Sequence, residues 1–589
     1  MRDLNYPEIL NKNKDLGHSL PAPIYEIVVL SNCTVSFLKE IMEYYVRVEG
    51  VNANVVIGDY DNIIQGTLKY KNANLVVIFW ELCNLINGFH YEAEELNEDQ
   101  LEKIYSKTIS EINLAFRNLQ KTSLILMNRF TSLPFSHANP EMGNLERLAR
   151  RLNKYLEGNI QNNIRLIDID KGISCVGINK SVDFRYFYSA KSLYTVDFYK
   201  EYAKRVRPFV MSANGKSKKA LIFDCDNTLW KGILGEDGKD GIEMSPLTAD
   251  GAIFSEIQGI ALNLVKQGVL IGLCTKNNSK DVVEVIENHP DMRLRERDIA
   301  IKKINWKDKT ENLQEIAREL NIGLDSLVYV DDSSFEVNLI RAQLPEVTVI
   351  QVPEKLYGYP GILKENLSLF YGFSRTREDT QKTQMISSEM KRVNAQKEFS
   401  TTEDYLISLE LKMSIFENDE TLIPRLAQLT QKTNQFNLTT NRYTEADIKN
   451  LMEKEAAKVY AFSVSDRFGD SGVTGLSIVQ FDLKKQTADI DTFLMSCRII
   501  GRNLEYVFMD YLVESFKETN TRIITARYIK TSKNELTQKF YEECAFSVAS
   551  TEHSRKNYIL EINRYQPRRL NYVKIVTGRK NQKNPVYSV

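Results

Sequence analysis

The stretch LIFDCDNTLW, residues 221–230, decides the fold of the chain around it. Its three leading apolar residues are typical of a buried strand in a parallel sheet. Asp224 and Asp226 follow at the predicted carboxyl end of this strand, which is the edge where open α/β sheets bind their ligands. Two neighbouring carboxylates need a cation or a shared proton between them, so the pair favours Mg²⁺ and a nucleophilic carboxylate beside an acid/base carboxylate. An acidic turn that ends a strand is the competing interpretation.

Two later segments carry groups that can bind phosphate. The apolar run VLIGLC, residues 269–274, ends in Thr275, whose hydroxyl can hydrogen-bond a phosphoryl oxygen. The segment INWKDKTEN, residues 304–312, opens a helical pattern and contains Lys307 and Lys309. A lysine at this place can neutralise a phosphate as a point charge, whereas a lysine on a solvated helix face has no such role.

A third segment, SLVYVDDSS at residues 326–334, is another apolar strand pattern, and it ends in Asp331 and Asp332. Each segment alone is a weak signal. Together they follow the order D-x-D-x-T, Thr, Lys and D-D, which resembles the haloacid dehalogenase superfamily.

The resemblance is closer to one branch of that superfamily, the FkbH-like proteins, and extends from about residue 25 to about residue 561. It is carried by DNTLWKGILGEDG (226–238), HPDMRLRERDIA (289–300), INWKDKTENLQEIARELNIGLDSLVYVDDSSFE (304–336) and LTQKTNQFNLTTNRYTEADI (429–448). Members of this family pair a small-cap phosphatase-like domain with an acyltransferase-like domain. The resemblance implies loading of a glyceryl unit from 1,3-bisphosphoglycerate onto an acyl carrier protein, with release of phosphate.

The resemblance also implies roles for individual residues. Asp224 would attack a phosphoryl group and form an aspartyl phosphate, which splits one difficult displacement into two easier ones. Asp226 would protonate the leaving oxygen and then activate water. Thr275 would hydrogen-bond a phosphoryl oxygen. Lys309, which occupies the lysine position of the family's N-W-x-x-K pattern, would bind the phosphate, and Lys307 is its competitor.

Mg²⁺ is the cofactor that the resemblance implies. Its ligands would be the carboxylates of Asp224 and Asp331, the backbone carbonyl of Asp226 and phosphate oxygens. Asp332 would hold the ion through water or brace Asp331.

Cys225, between the two acids of the first motif, has two interpretations. A free cysteine is commonly a small buried apolar residue, and on a strand it would point away from both acids. In glyceryl-loading members of the family, a cysteine of this motif is proposed to carry the acyl group as a thioester, so the resemblance makes Cys225 a candidate acyl carrier.

Composition sets wider limits on the chain. At 589 residues it is too long for one core, and three or four domains are expected. The net charge of −1 gives no overall field for nucleic acid or an anionic membrane, so neither is an expected partner. No apolar signal segment or membrane-spanning run is present, and the seven cysteines form no C-x-x-C pair. A cytoplasmic protein without disulfides or structural zinc is expected.

The fold class indicated is α/β with three domains. The alternation of strand and helix patterns in the first block predicts a doubly wound sheet, and in the family this block resembles the SGNH hydrolase fold. Ser31 stands where a nucleophile could lie, but the flanking Gly and Asp of that motif are missing, so a non-catalytic docking module is expected. The predicted divisions are an SGNH-like α/β domain at 1–210, a haloacid-dehalogenase-like Rossmannoid domain with a minimal cap at 211–375, a helical linker at 376–403, an acyltransferase-like α+β domain at 404–565 and a basic, poorly ordered tail at 566–589.

The order of strands and helices in the last domain looks like the Gcn5-related acyltransferase fold. The segment CRIIGRNLE resembles its R-x-x-G-x-G/A phosphate-binding loop, in which the cofactor-binding candidates are Arg498, Gly501, Arg502 and Asn503. Asn503 replaces the last Gly or Ala, which leaves coenzyme A in doubt and permits the phosphopantetheine of a carrier protein. Cys497 is a second candidate thiol, and a buried structural cysteine is its competing interpretation. An amide-rich cluster either binds an acyl or glyceryl hydroxyl or caps helices; it comprises Thr433, Asn434, Gln435, Asn437 and Asn441.

The leading interpretation is therefore a Mg²⁺-dependent enzyme of the haloacid dehalogenase superfamily that acts on a phosphorylated three-carbon substrate and an acyl carrier protein. The alternative is a small-molecule phosphatase of polysaccharide or secondary-metabolite biosynthesis. A non-catalytic scaffold for carrier proteins is disfavoured because all four motif segments are intact.

Overall fold

The structure, a computed structural model, describes residues 4–372, 392, 395, 399, 401–531, 533–552 and 554–577. Its contacts divide the chain into two compact units. The first comprises residues 1–214 and 442–450, and the second comprises residues 215–441 and 451–589. No helix in the described part of the chain is both long enough and apolar enough to cross a bilayer.

The first unit contains one parallel sheet of five strands in the order β2-β1-β3-β4-β5. The strands are β1 (Tyr25–Ser31), β2 (Ala53–Ile57), β3 (Leu75–Phe79), β4 (Leu124–Asn128) and β5 (Ile164–Ile167). The helices are α1 (Tyr6–Ser19), α2 (Leu38–Arg47), α3 (Ile63–Lys69), α4 (Phe89–Glu92), α5 (Glu98–Asn118), α6 (Leu133–Ser136), α7 (Asn144–Gly158), α8 (Ile169–Val176), α9 (Ile178–Ser181), α10 (Phe184–Ala190) and α11 (Val196–Ala213). The strands β3 and β4 are wholly buried, as expected for a parallel sheet with helices on both faces.

Helix α1 lies in a segment for which the sequence suggested no element. Asn5 and Glu8 form a capping box there, because the Asn5 side chain accepts from the Glu8 backbone N–H and the Glu8 side chain accepts from that of Asn5. The polar composition concealed the helix, since only Ile9 and Asn13 are buried.

The second unit begins with another parallel sheet, ordered β10-β9-β6-β7-β8. Its strands are β6 (Ala220–Phe223), β7 (Leu270–Thr275), β8 (Ile299–Ile304), β9 (Leu327–Asp331) and β10 (Thr348–Gln351). Its helices are α12 (Leu234–Asp237), α13 (Ala249–Val265), α14 (Ser279–Asn288), α15 (Lys309–Glu319), α16 (Ser334–Gln343) and α17 (Tyr359–Glu365). Strand β6 lies between β7 and β9, so the carboxyl ends of these three strands are neighbours.

Both faces of this sheet are covered. Leu221 and Phe223 pack in one hydrophobic cluster, whereas Ala220 and Ile222 pack in another on the opposite face. Residues 224–248, between β6 and α13, contain only the four-residue helix α12. This short insertion agrees with the predicted minimal cap. No separate cap domain covers the carboxyl edge of the sheet in this described segment.

The second unit also contains a mixed sheet, ordered β17-β18-β16-β15-β14-β13-β11-β19, with β12 paired to β15. Its strands are β11 (Leu411–Glu417), β12 (Phe436–Asn437), β13 (Ala457–Asp466), β14 (Gly469–Asp482), β15 (Thr487–Met495), β16 (Ile523–Ile529), β17 (Ser547–Glu552), β18 (Arg555–Glu561) and β19 (Val573–Thr577). The helices in this part of the chain are α18 (Thr402–Ser408), α19 (Ile423–Lys432), α20 (Glu445–Met452), α21 (Leu504–Glu518) and α22 (Phe540–Glu543). Residues 445–450 of α20 belong to the first unit. The pairs β15–β16 and β11–β19 are parallel and the other pairs are antiparallel.

The α/β fold class, with parallel Rossmann-like sheets and a mixed C-terminal sheet, is confirmed. The segment NELTQKFYEEC, residues 534–544, has a sequence pattern typical of one helix, but in the structure it forms a turn followed by α22. Within the tail that was expected to be poorly ordered, residues 573–577 form β19, whose β-branched residues pair with β11, and residues 578–589 lie outside the described part of the chain.

Asn534 explains the broken helix. Its side-chain amide donates to the carbonyls of Asn437 and Ile529, a tertiary contact that competes with helical hydrogen bonding. The predicted linker at 376–403 lies almost wholly outside the described residues. The five predicted divisions of the chain remain predictions.

Candidate active site

Three strand ends bring the predicted residues together. Asp224 directly follows β6, and its backbone N–H donates to the Val330 carbonyl of β9. Thr275 is the last residue of β7, and Asp331 is the last residue of β9. Because β6 lies between these two strands, residues far apart in sequence meet at one edge.

Lys309 reaches this edge from the first position of α15. Asp308 caps the helix through its side chain, which accepts from the Thr310 backbone N–H at 2.8 Å. Lys309 Nζ lies 3.0 Å from Asp224 Oδ1 and 2.7 Å from Asp331 Oδ2. The ammonium therefore bridges the two carboxylates.

All three charged groups are buried. The exposed fractions are 4% for Lys309, 5% for Asp224 and 0% for Asp331. Burial alone would lower the pKa of Lys309, but the neighbouring Asp224 and Asp331 outweigh it and raise the pKa above its usual range. Burial raises the pKa of Asp224 to about 7, with Lys309 opposing and Asp331 reinforcing the shift. The site is thus a strongly coupled group of buried charges.

Asp331 is held by contacts on both of its carboxylate oxygens. Oδ1 accepts from the Ser333 backbone N–H at 2.8 Å, and Oδ2 accepts from the Tyr329 hydroxyl as well as from Lys309. The sequence analysis did not identify Tyr329 as a site residue. Strand alternation could have indicated it, because a residue two positions before a strand-end carboxylate points to the same face of the sheet.

The carboxylates of Asp224, Asp331 and Asp332 each offer one oxygen atom to a group in which these three atoms lie within 4.8 Å of one another. Burial and the neighbouring Asp331 raise the pKa of Asp332. A set of oxygen donors without nitrogen or sulfur suits a hard divalent cation such as Mg²⁺. The residues present therefore fit the ion that the sequence implied.

The Asp226 carboxylate is held apart from this group. Its Oδ1 accepts from Trp230 Nε1 at 2.9 Å and from the Leu234 backbone N–H at 3.1 Å, and its Oδ2 accepts from Asn277 Nδ2 at 2.9 Å. Asn277 and Trp230 thus orient the second acid of the motif. This separation suits an acid/base group and leaves only the Asp226 backbone carbonyl for the expected metal contact.

Thr275 and Cys225 are both buried close to Asp224, and the Thr275 side chain is within hydrogen-bonding reach of the Cys225 thiol. Thr275 is within hydrogen-bonding reach of Asp224, and this contact lowers the pKa of Asp224 against the effect of burial. Cys225 packs in the same hydrophobic cluster as Leu221 and Phe223, on the face that strand alternation predicts. Burial, with Asp224 and Asp226 adding to it, raises the pKa of the Cys225 thiol well above its usual range.

Lys307 lies outside the site. Its side chain is 60% exposed, and its Nζ is 3.6 Å from Glu315 Oε1 on the helix that follows. Lys309, two residues later, is the lysine that the fold turns inward.

The four cofactor-binding candidates of the C-terminal domain lie in the segment that leads into α21, where Arg502 NH2 donates to the Arg498 carbonyl at 2.9 Å. Arg498 lines a cavity together with Cys497. Arg502 NH1 instead lies 3.3 Å from the buried carboxylate of Asp466. Gly501 and Asn503 adopt left-handed backbone conformations, with φ of 84° and 59°, ahead of α21. The Asn503 side chain donates to the Tyr572 hydroxyl at 3.0 Å.

The residues of the amide-rich cluster lie in two different environments. Thr433, Asn434 and Gln435 line the cavity that Arg498 and Cys497 line. Asn437 is buried and donates to the Thr433 carbonyl, and Asn441 contacts Asp491. Part of the cluster is therefore placed to meet a ligand, and part supports the loop.

Ser31, the possible nucleophile of the first unit, ends β1. Its hydroxyl is buried, donates to the Cys33 carbonyl at 2.8 Å and accepts from the Cys33 backbone N–H at 3.0 Å. These bonds hold the hydroxyl within a turn. The docking role expected for this unit remains a prediction.

No family model matches the chain, and no curated protein matches it. Among solved structures, the chain is similar to the N-terminal part of the protein BF1531 from Bacteroides fragilis, described as containing a phosphatase domain complexed with Mg. The two share 24% sequence identity over 63% of this chain and 100% of that chain, with a TM-score of 0.54. At this identity the likeness concerns the fold.

Acetyltransferases match about a quarter of the chain. The ribosomal-protein-S18-alanine N-acetyltransferase from Escherichia coli is 14% identical over 26% of this chain and 94% of that chain, with a TM-score of 0.21. A mutant of the spermidine N-acetyltransferase SpeG from Vibrio cholerae is 13% identical over 27% and 98%, with a TM-score of 0.21. Such scores assign nothing to the C-terminal domain, whose architecture is described by its own strand order. What the comparisons establish is an α/β fold shared with a phosphatase-containing protein.

Proposed function

We propose that the second unit is a Mg²⁺-dependent enzyme of the haloacid dehalogenase type that removes a phosphoryl group from a small phosphorylated substrate. One observation carries this proposal: a buried lysine joins Asp224 to Asp331 at the carboxyl edge of a parallel sheet, and Asp332 completes a group of three carboxylates. The BF1531 structure, described as a phosphatase domain with Mg, supports the same reaction class.

The residues of the site account for the steps of such a reaction. An oxygen of Asp224 attacks the phosphorus atom, the bond from phosphorus to the leaving oxygen breaks, and Asp226 gives that oxygen a proton. Water then gives a proton to Asp226 while its oxygen attacks the aspartyl phosphate, which frees inorganic phosphate and restores Asp224. Lys309 and Thr275 bind the phosphoryl oxygens.

Asp224, Asp331 and the backbone carbonyl of Asp226 would hold Mg²⁺, and Asp332 would support it from the rim. When bound, the ion supplies positive charge that offsets the charge developing on the transferred phosphoryl group. The Asp226 carboxylate is not a metal ligand in this proposal, because it accepts hydrogen bonds from Trp230 and Asn277.

The more specific proposal follows from the FkbH-like segments. The donor would be 1,3-bisphosphoglycerate, a phosphorylated three-carbon acyl phosphate, and the acceptor a carrier-protein thiol. A thiol sulfur bonds to the acyl carbon, the carbon–oxygen bond to the first phosphate breaks, and the thiol proton leaves with that phosphate. Hydrolysis of the remaining phosphate ester at Asp224 consumes one water and removes the second phosphate. The products would be a glyceryl thioester and two phosphates. The alternative is a small-molecule phosphatase. Its support is the description of the BF1531 structure as a phosphatase domain.

Incubation with 1,3-bisphosphoglycerate tests the two proposals together. We expect the full chain with Mg²⁺ to release phosphate and to gain the mass of one glyceryl unit, and we expect a carrier protein to remove that unit. Intact-mass spectrometry and a phosphate assay measure both. EDTA should abolish phosphate release. Phosphate release without any mass gain or carrier acylation would favour the plain phosphatase.

A Cys225→Ala variant tests the acyl-carrier role of the motif cysteine. Because Cys225 lies outside the carboxylate group, we expect the variant to release phosphate within about threefold of the wild-type rate. The thioester role predicts that it no longer gains the glyceryl mass. Since the thiol is fully buried, such a role would require the turn after β6 to open. Normal glyceryl transfer by this variant would eliminate Cys225 as the acyl carrier and shift attention to Cys497.

A further inference from the structure

Tyr329, the central residue of β9, carries a hydroxyl group that the proposed reaction does not use. The side chain is fully buried, and it lies on the same face of the sheet as Asp331, two residues later. A phenol that is removed from water needs a hydrogen-bond acceptor, because an unpaired buried hydroxyl is costly. The acceptors of this hydroxyl therefore indicate what the residue does.

The Tyr329 hydroxyl lies next to two acceptors that belong to different strands. It donates to Oδ2 of Asp331 at the end of β9, and it lies 3.2 Å from the carbonyl oxygen of Cys274 on β7. Strand β6, which Asp224 follows directly, runs between β7 and β9. The hydroxyl thus links the two strands on either side of the strand that leads to the proposed nucleophile.

The ring of Tyr329 makes a further contact in the same site. Lys309 Nζ lies 5.9 Å from the centre of the ring, which is within the range of a cation–π interaction. The same ammonium lies 2.7 Å from Asp331 Oδ2. Tyr329 therefore contacts both members of this ion pair, the carboxylate through its hydroxyl and the ammonium through its ring.

These contacts hold the Asp331 carboxylate in one orientation. Oδ2 accepts from Tyr329 and Lys309, and Oδ1 accepts from the Ser333 backbone N–H at 2.8 Å. Lys309 divides its hydrogen bonds between Asp224 and Asp331, whereas the Tyr329 hydroxyl donates to the second of these carboxylates. Loss of the hydroxyl would leave Asp331 Oδ2 with an ammonium that a second carboxylate also attracts.

The orientation of a carboxylate matters for metal binding. A ligand that hydrogen bonds already hold in place loses little freedom when it binds a cation. Groups that orient metal ligands in this way typically contribute about 10-fold to 100-fold to metal affinity or activity. Asp331 is a ligand of Mg²⁺ in the proposed function, so its hydrogen-bond donors should influence how tightly the ion is held.

We propose that Tyr329 is a positioning residue that fixes Asp331 for binding of the divalent cation. Its hydroxyl orients the carboxylate, and its ring supports the ammonium of Lys309. The inference rests on the metal site of the proposed function and adds the phenol hydroxyl to what that site requires. Because Tyr329 acts through Asp331, loss of the hydroxyl should weaken metal binding and leave Asp224 and Asp226 able to react.

Binding of Mn²⁺ to the full chain, followed by electron paramagnetic resonance, tests this role without any substrate. Mn²⁺ prefers the same oxygen ligands as Mg²⁺, and Asp331→Asn identifies the part of the signal that comes from this site. We expect Tyr329→Phe, which keeps the ring in the core, to bind Mn²⁺ about tenfold or more weakly than the wild type. Circular dichroism shows whether the variant keeps the fold.

Tyr528→Phe is the matched control. Tyr528 is buried in the mixed sheet, and its hydroxyl lies 3.2 Å from Asn534 Oδ1, so the substitution also removes a buried hydrogen bond. It should leave the affinity for Mn²⁺ within about twofold of the wild type, because the residue is remote from the carboxylates. A general loss of stability would affect both variants, whereas loss of metal affinity should be confined to Tyr329→Phe.

The dependence of phosphate release on Mg²⁺ separates positioning from a direct part in the reaction. With 1,3-bisphosphoglycerate as substrate, Tyr329→Phe should need about tenfold more Mg²⁺ for half its maximal rate and reach that of the wild type within about threefold. Equal or tighter Mn²⁺ binding by Tyr329→Phe, or a loss of rate that saturating Mg²⁺ does not restore, would overturn the proposal.

The two measurements also separate this inference from the proposed function. If the wild type did not bind Mn²⁺, both the metal site and the role of Tyr329 would be wrong. If the wild type bound Mn²⁺ more tightly than Tyr329→Phe by the expected factor but released no phosphate, the role of Tyr329 would be supported and the proposed reaction contradicted.

Discussion

Replacing Asp224 by Asn should abolish phosphate release, with a loss of about a thousandfold or more. The variant keeps the size of the side chain and a hydrogen-bond acceptor, but the amide is a poor nucleophile and a weak ligand for a divalent cation. Removal of a nucleophile costs more than removal of one hydrogen-bond donor to the transition state, which already costs about a hundredfold to a thousandfold. Single-turnover phosphate release at saturating Mg²⁺ measures this loss.

A nearby acid provides the control for this substitution. Asp240 is exposed in the short insertion after β6, so Asp240→Asn should retain activity within about twofold. Circular dichroism of both variants shows whether the fold is kept. If Asp224→Asn, correctly folded, still turned over substrate at a rate near that of the wild type, the covalent mechanism would be wrong.

Replacing Lys309 by Met should destabilise the second unit and remove activity together. The ammonium forms ion pairs with two buried carboxylates, and removing one member of a buried ion pair typically costs about 3–5 kcal/mol. Asp224 and Asp331 would then face each other without the cation. Hydrogen exchange of peptides from β6 and β9, followed by mass spectrometry in EDTA, measures the loss of local stability.

Lys307→Met is the matched control, because this lysine is two residues away and exposed. It should change local stability by no more than about 0.5 kcal/mol. Mg²⁺ should restore protection to Lys309→Met more than to the wild type, since a cation binding the carboxylates replaces part of the missing charge. Equal exchange in Lys309→Met and wild type would show that the bridge contributes nothing to stability.

Much of the second unit could be predicted from local patterns. Apolar runs of strand length ended in Asp224, Thr275 and Asp331, and each run is a strand of the parallel sheet. Such patterns are readable because a buried parallel strand is a continuous apolar run, and its polar end marks the ligand edge. The same alternation placed Cys225 on the apolar face.

The C-terminal part was harder to read. Strand β11 and strand β19 pair with each other although about 160 residues separate them, and the sequence of neither contains a sign of its partner. Arg425, Gln428 and Lys432 occur at helical spacing on one face of α19, which is a visible signal of a polar face. The sequence does not show that Lys219 and Asn321 line one cavity together with this face of α19, because that depends on the fold.

Which residue types end which strands can be predicted from sequence, because strand and helix periodicity are local properties of the chain. Which of these residues meet depends on the three-dimensional fold. The order β9-β6-β7 brings Asp331, Asp224 and Thr275 to one edge, and the start of α15 turns Lys309 inward while Lys307 faces solvent. Strand order and the direction in which a helix starts depend on contacts between segments that are distant in sequence. No single stretch of sequence specifies these contacts.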